Sequence, residues 1–409
     1  MPDCAEIQDW RHDYGQHVGG GLAALLYCVV ADGQQKKVDP AYQAQLEQQW
    51  KAHPTMALGS SAPDFTLPGV DGKTHSLSDY KDSRLLVFVF SCNHCPVAQL
   101  YEGRIKKLVD DYRSRGVALV AIEADAPSVS APRELNYSDV EDTMEGMKIR
   151  AEYRHFNFPY LYDGDTQEFV EQFGPKVTPH VFVFDQARKL QYEGRIDDNM
   201  TETKVTTKDL RNALDALLAG RPVTVAHTPV FGCSLKWKSQ VEGKQREAKE
   251  WQETPVNLET ATAADLKQIR ANATDKVVLI HFWATGNSPS MAAFPSLLTT
   301  YRWYRSRDFE LLTVSTDAPA EKSAVMKFLQ DQHAAVRNLQ LASADIRALQ
   351  AAIDPAWKSG VPFTIVLAPG GIVIYRQEGP LNLLALRRAI LARLPDGGFP
   401  GNSAYWAQR

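Results

Sequence analysis

The residues able to do chemistry gather in "SCNHCPVAQ", which begins at Ser91 and sets Cys92 and Cys95 three positions apart, with Asn93 and His94 between and Pro96 after. Two thiols at this spacing can close a short disulfide ring, so the pair can give up or take back two electrons. A cysteine at the start of a helix meets unsatisfied N–H groups and the positive end of the helix dipole. Both stabilise the thiolate, which is the attacking species. As an imidazolium, His94 would stabilise a thiolate further and make the pair comparatively oxidising. The plainer reading of His94 is a solvated turn residue.

Other uses of the pair fare worse on spacing. A structural zinc site needs four ligands, and only Cys233 and scattered histidines remain to complete one. Covalent haem attachment needs His directly after the second Cys, where this chain has Pro96. No metal and no cofactor is therefore expected. Five cysteines in 409 residues are too few and too scattered for a disulfide scaffold. Cys233, alone in "FGCSLKWK", is either a distal resolving thiol or a small buried hydrophobe.

The elements that must position the pair follow from the apolar pattern. "RLLVFVF" (Arg84–Phe90) is short and continuously apolar, as a buried strand is, and the stretch after Pro96 has amphipathic helical periodicity. "VALVAIEAD" is a second buried strand, and a helix is expected over Ser138–Arg154. "HVFVFDQARKLQYEGRID" reads as a hairpin, and "TKDLRNALDALLAG" as a helix with a C-terminal Gly. The pattern then restarts: "KVVLIHFWATGNSPS", "DFELLTVSTD" and "SGVPFTIVLAPGGIVIYRQEG" repeat the strand, the second strand and the hairpin, with Pro362 entering the hairpin as Pro179 does. In this reading Cys92 falls on Asn287 and Cys95 on Ser290, so the second copy lacks both thiols.

The length exceeds a single hydrophobic core. The expected organisation is an N-terminal extension (1–56), a first domain (57–225), a linker (226–255), a second domain (256–398) and a tail (399–409). A net charge of −4 gives no footprint for nucleic acid. The longest apolar run, Gly21–Ala31, is too short to cross a bilayer but has the length of a signal-peptide core. It inclines the reading toward an extracytoplasmic compartment over the cytoplasm, with a buried helix as the alternative.

The β-α-β-α-β-β-α order, with C-x-x-C where strand meets helix, resembles the thioredoxin fold. The expected architecture is α/β, with two tandem thioredoxin-like domains, each a mixed sheet flanked by helices. "SSAPDFTLPGVDGKTHSLSDY", "CNHCPVAQ", "FPYLYD", "VTPHVFVFD" and "EGRIDDN" make the first copy similar to peroxiredoxin-like redoxins of the AhpC/TSA type. The second resembles TlpA/ResA-type thiol-disulfide reductases, whose strand end reads W-A-T-W-C-x-P-C; here it reads Trp283 to Ser290 without sulfur.

Several roles are implied by the resemblance alone. Pro179, after Thr178, matches the proline held cis beside the dithiol, where Thr178 presents its backbone to an extended substrate. Thioredoxins make the first cysteine the attacker and the second the resolver. Peroxiredoxins place Pro after the attacking cysteine, as Pro96 follows Cys95, and Thr or Ser three residues before it, where this chain has Cys92.

The leading expectation is a thiol-disulfide oxidoreductase exchanging electrons with protein thiols and disulfides. A thiol peroxidase using Cys95, and a redox-inactive binding module, are the alternatives. A thioredoxin-type reductant or a peroxide is the expected small partner, and a homodimer the expected assembly.

Overall fold

The computed structural model describes residues 27–29, 35–37, 40–343, 346–358 and 360–408. Tyr27–Val29 pairs antiparallel with Gln35–Lys37. Most of the Gly21–Ala31 run, and with it the question of a targeting segment, lies outside the described residues. No helix among the described residues is long and apolar enough to cross a membrane. The chain divides into two compact units: Met1–Val129, Val140–Gln240 and Asp396–Asn402 form the first; Ser130–Asp139, Val241–Pro395 and Ser403–Arg409 form the second.

In the first unit the apolar segment after Arg84 becomes β1 (Leu85–Ser91), followed by α1 (Pro96–Tyr112) and β2 (Val117–Glu123). Next come α2 (Met144–Arg154), β3 (Tyr160–Tyr162), α3 (Glu168–Phe173), β4 (Val177–Thr178), β5 (His180–Phe184), β6 (Leu190–Gly194) and α4 (Asp209–Leu218). The five-stranded sheet runs β6-β5-β1-β2-β3. β1 pairs parallel with β2 and antiparallel with β5, so the sheet is mixed. β1 is central and wholly buried from Leu85 to Phe90, which explains its unbroken apolar sequence. On one face Phe88, Phe90, Phe169, Phe173 and Phe182 pack edge to face, fixing the strand end from which Cys92 follows.

A short strand, β7 (Cys233–Ser234), pairs antiparallel with β4 and sets Cys233 opposite Thr178. The preceding Gly232 has φ +153°, and a Cβ there would lie 2.1 Å from the Thr178 carbonyl oxygen, so only glycine permits this approach.

The second unit has a six-stranded mixed sheet. β8 (Glu259–Ala261) lies at one edge, then come β11 (Arg337–Leu341), β10 (Phe309–Ser315), β9 (Val277–Trp283), β12 (Phe363–Ala368) and β13 (Ile372–Glu378). Both Thr178–Pro179 and Val361–Pro362 are cis.

The two sheets correct the superposition read from the sequence. Phe90 pairs with His180 directly after the cis-proline, and Phe282 pairs with Phe363 in the same place. Phe90 therefore matches Phe282, which puts Cys92 at Ala284 and Cys95 at Asn287. Placing Cys92 on the first cysteine position of the W-A-T-W-C-x-P-C pattern, at Asn287, is three residues out of this register.

Candidate active site

Pro96 occupies the first turn of α1, where its missing N–H costs nothing. A residue before proline is pushed to extended backbone, and an N-cap needs the same conformation; Cys95 has φ −68° and ψ 115°. Its sulfur caps the helix, accepting from Ala98 N–H at 3.4 Å. As a thiol, Cys95 donates to the Thr178 carbonyl at 3.2 Å. Cys92 Sγ lies 3.4 Å from Thr178 Oγ1. Cys92, Cys95 and Cys233 are free thiols, and Cys95 is in hydrogen-bonding contact with the other two.

The electrostatics separate the thiols. Burial works against a Cys95 thiolate, but hydrogen bonds from Cys233, Cys92, Ala98 N–H and Thr178 outweigh it and hold Cys95 well below the ordinary thiol range. Burial, the Cys95 contact and the charges of Asp125 and Asp142 push Cys92 well above it. Contact with Cys95, and then burial, raises Cys233 likewise. The surroundings thus favour a thiolate at Cys95 over one at Cys92 or Cys233.

His94 does not act as the sequence suggested. Its ring turns to Asp142, with Nδ1 2.5 Å from Oδ2, and sits 3.9 Å from Asp125 Oδ2. Burial would depress the imidazolium, but the charge and hydrogen bond of Asp142, with Asp125 behind, raise it to about 9. Its ring is thus bound to these carboxylates rather than turned to the Cys95 sulfur that caps α1. Nor is it a solvated turn residue, being 3% exposed.

Asp142 Oδ1 also accepts the N–H groups of Asn93 and His94, at 2.7 and 3.1 Å, and so fixes the turn between the cysteines. The helix expected from Ser138 accordingly starts at Met144, because Asp142 is drawn to this turn and Thr143 becomes the N-cap. Asn93 donates to Glu141 O at 2.8 Å and accepts from Tyr160 OH at 3.4 Å.

Two further carboxylates come from the end of β2. Glu123 accepts from Tyr160 OH at 2.7 Å, and burial with the charges of Asp142 and Asp125 pushes it well above the usual range. Asp125 Oδ1 accepts Lys236 N–H at 2.7 Å, and burial raises this carboxyl to about 6 despite the His94 charge. Cys92 Sγ, His94 Nδ1 and Asp125 Oδ2 all lie within 4.8 Å of one another, as do donor atoms of Cys92, Glu123 and Asp142.

The structure thus brings Cys92, Asn93, His94, Cys95, Pro96, Thr178, Pro179 and Cys233 to one place. Sequence reasoning missed Asp125, Asp142, Glu123 and Tyr160. His180, at the end of β5, is held by Glu193 at 2.8 Å and Lys176 N–H at 3.2 Å, a buried structural histidine.

Residues 58–193 match the model of the AhpC/TSA family, a third of the chain. Over 164 residues the chain is 23% identical to the thiol-disulfide oxidoreductase ResA of Geobacillus thermodenitrificans (strain NG80-2), covering 40% of this chain and 79% of that protein. It is 28% identical over 119 residues to peroxiredoxin Bcp of Escherichia coli (strain K12), covering 29% of this chain and 65% of Bcp, under two thirds of its length. A solved structure, a hypothetical protein SMc02350 from Sinorhizobium meliloti 1021, is 34% identical and covers 45% of this chain and 97% of that one, with a TM-score of 0.41. With a buried dithiol at the strand–helix junction, a facing cis-proline, the family-model match and the ResA and Bcp sequence matches, the first unit of the chain contains a redoxin domain of the thioredoxin-like superfamily.

Proposed function

We propose that the first unit is a thiol-disulfide oxidoreductase in which Cys95 attacks and Cys92 resolves. The observation that supports this most is the setting of the Cys95 sulfur at the cap of α1, faced by Ala98 N–H, Thr178, Cys92 and Cys233. The Cys95 thiolate displaces one sulfur of a substrate disulfide, which leaves as a thiolate, and a mixed disulfide forms. Cys92 then loses its proton, attacks the Cys95 sulfur and expels the second substrate sulfur as a thiolate. The substrate has gained two electrons and the pair has become a disulfide, which a thioredoxin-type dithiol reduces again. Thr178, before cis-Pro179, borders both sulfurs; its buried backbone is paired with β7 and bonded by Cys95, so it is not open to an extended substrate as the resemblance implied. The second unit, without cysteine, docks a partner protein or a second copy of the chain.

One observation favours a second reading, thiol peroxidase. Cys95 is 0% exposed, which suits a peroxide better than a protein disulfide, and Cys92 stands where peroxiredoxins carry Thr or Ser. There the Cys95 thiolate attacks the O–O bond, becomes a sulfenic acid and releases water or an alcohol. Cys92 or Cys233 condenses with the sulfenic acid and water leaves.

Single-cysteine variants test these readings. Cys92→Ser is expected to accumulate mixed disulfides on Cys95; accumulation in Cys95→Ser instead overturns the assignment. Peroxide consumption that survives Cys92→Ser for one turnover and vanishes in Cys95→Ser selects the peroxidase. If insulin reduction, peroxide consumption and trapping are all absent, the unit is a redox-inactive binding module.

A further inference from the structure

We infer that the reduced first unit holds a zinc ion between Cys92 Sγ, His94 Nδ1 and Asp125 Oδ2, with water as the fourth ligand. The first three atoms lie within 4.8 Å of one another, and the nitrogen and oxygen are 3.9 Å apart. Zinc bonds of about 2.0–2.3 Å in a tetrahedron place neighbouring donors about 3.3–3.8 Å apart. Closing the site therefore needs shifts of about an ångström or less.

Asp125 supplies the independent sign. It is 0% exposed, and its Oδ2 has no N–H or O–H donor at hydrogen-bond distance among the described residues, only the Cys92 thiol and, at 3.9 Å, the His94 ring beside it. A buried carboxylate oxygen left in this state costs free energy that a cation would recover. Its orientation is fixed, since Oδ1 is tied to Lys236 N–H and Asp125 N–H to Glu123 at 3.2 Å. On the other side, the ion displaces the proton on His94 Nδ1, while Asp142 stays anchored through Oδ1 to two backbone N–H groups. One thiolate, one imidazole and one carboxylate, completed by water, form a borderline donor set that suits Zn²⁺.

The second unit shows the same position without the site. There Asp317 takes the place of Asp125 and is fully engaged by Thr285 and Ser315, and Ala284 takes the place of Cys92. A gating consequence rests on the resolving role proposed above. Zinc on Cys92 holds the pair reduced, and formation of the Cys92–Cys95 disulfide removes the thiolate ligand and releases the ion.

The test is anaerobic titration of the reduced full chain with Zn²⁺ against a chromogenic chelator, and with Co²⁺ read by its thiolate charge-transfer absorption. One equivalent is expected, with affinity falling about tenfold or more in Cys92→Ser and in Asp125→Ala. The Cys92–Cys95 disulfide form should hold none. An absent charge-transfer band in the reduced wild type overturns the site without recourse to any variant. Zinc affinity equal in wild type and Cys92→Ser, or retained in the disulfide form, overturns it as well. Trapping on Cys95 reports the exchange reaction separately, so either reading can fail without the other.

Discussion

Cys95 in the first unit and Asn287 in the second do the same structural work. Cys95 caps a helix by accepting Ala98 N–H and reaches the carbonyl of Thr178, the residue before cis-Pro179. Asn287 caps a helix by accepting Ser290 N–H at 2.9 Å and donates to the carbonyl of Val361, before cis-Pro362, at 3.1 Å. What the fold requires here is an N-cap that spans from helix to proline loop, and an amide meets that need as well as a thiol. The strand ends differ in kind. Asp317 is saturated by Thr285 and Ser315, whereas Asp125 keeps one oxygen without an N–H or O–H donor among the described residues. Sulfur and the spare carboxylate oxygen are additions that chemistry requires and stability does not.

This contrast can be broken at several points. Cys95→Ser leaves the cap intact yet should reduce disulfide exchange to the uncatalysed background, measured by insulin reduction; retained turnover would move the attacking role elsewhere. The next largest effect concerns stability. His281 occupies the register of Val89, is buried, and is lowered by that burial to about 4, so the unfolded chain takes up its proton first. The stability it contributes is full above about pH 6.5 and falls by up to about 3 kcal/mol as pH drops toward 4. Denaturant unfolding of His281→Val should lose this acid dependence, and an unchanged profile would assign the dependence to other groups.

Grafting comes third. Ala284→Cys combined with Asn287→Cys should yield a pair that loses two hydrogens on oxidation, seen by mass spectrometry. Its alkylation should be about tenfold slower than that of Cys95, because no counterpart of Cys233 helps to lower its pKa. Equal rates would mean that the cap alone activates the thiol. Smallest is Asn287→Ala, expected to cost about 1 kcal/mol in thermal or denaturant unfolding through the lost cap.

Much of the site was legible in the sequence because its parts are local or carry a spacing. C-x-x-C, Pro96 and the proline entering each hairpin are short-range signals tied to a strand–helix junction. Asp125 and Asp142 were not legible: a carboxylate near a polar loop looks like solvated surface until the sheet edge and the N–H groups of Asn93 and His94 draw it inward. His94 was misread for the same reason, since its partner lies far along the chain. The register between the two units was not legible, because the W-A-T-W-C-x-P-C pattern puts the first cysteine position at Asn287, whereas strand pairing counted from the proline puts Cys92 at Ala284.

The contact of β7 with β4 also orders events during synthesis. Cys92 and Cys95 leave the ribosome long before Cys233, which hydrogen-bonds to Cys95, and before Lys236, whose N–H orients Asp125. Until that segment closes over Thr178, Cys95 lacks the Cys233 hydrogen bond, the first of those that lower it. Cys95 therefore reaches its full acidity only after a segment that follows it by more than a hundred residues has paired with β4.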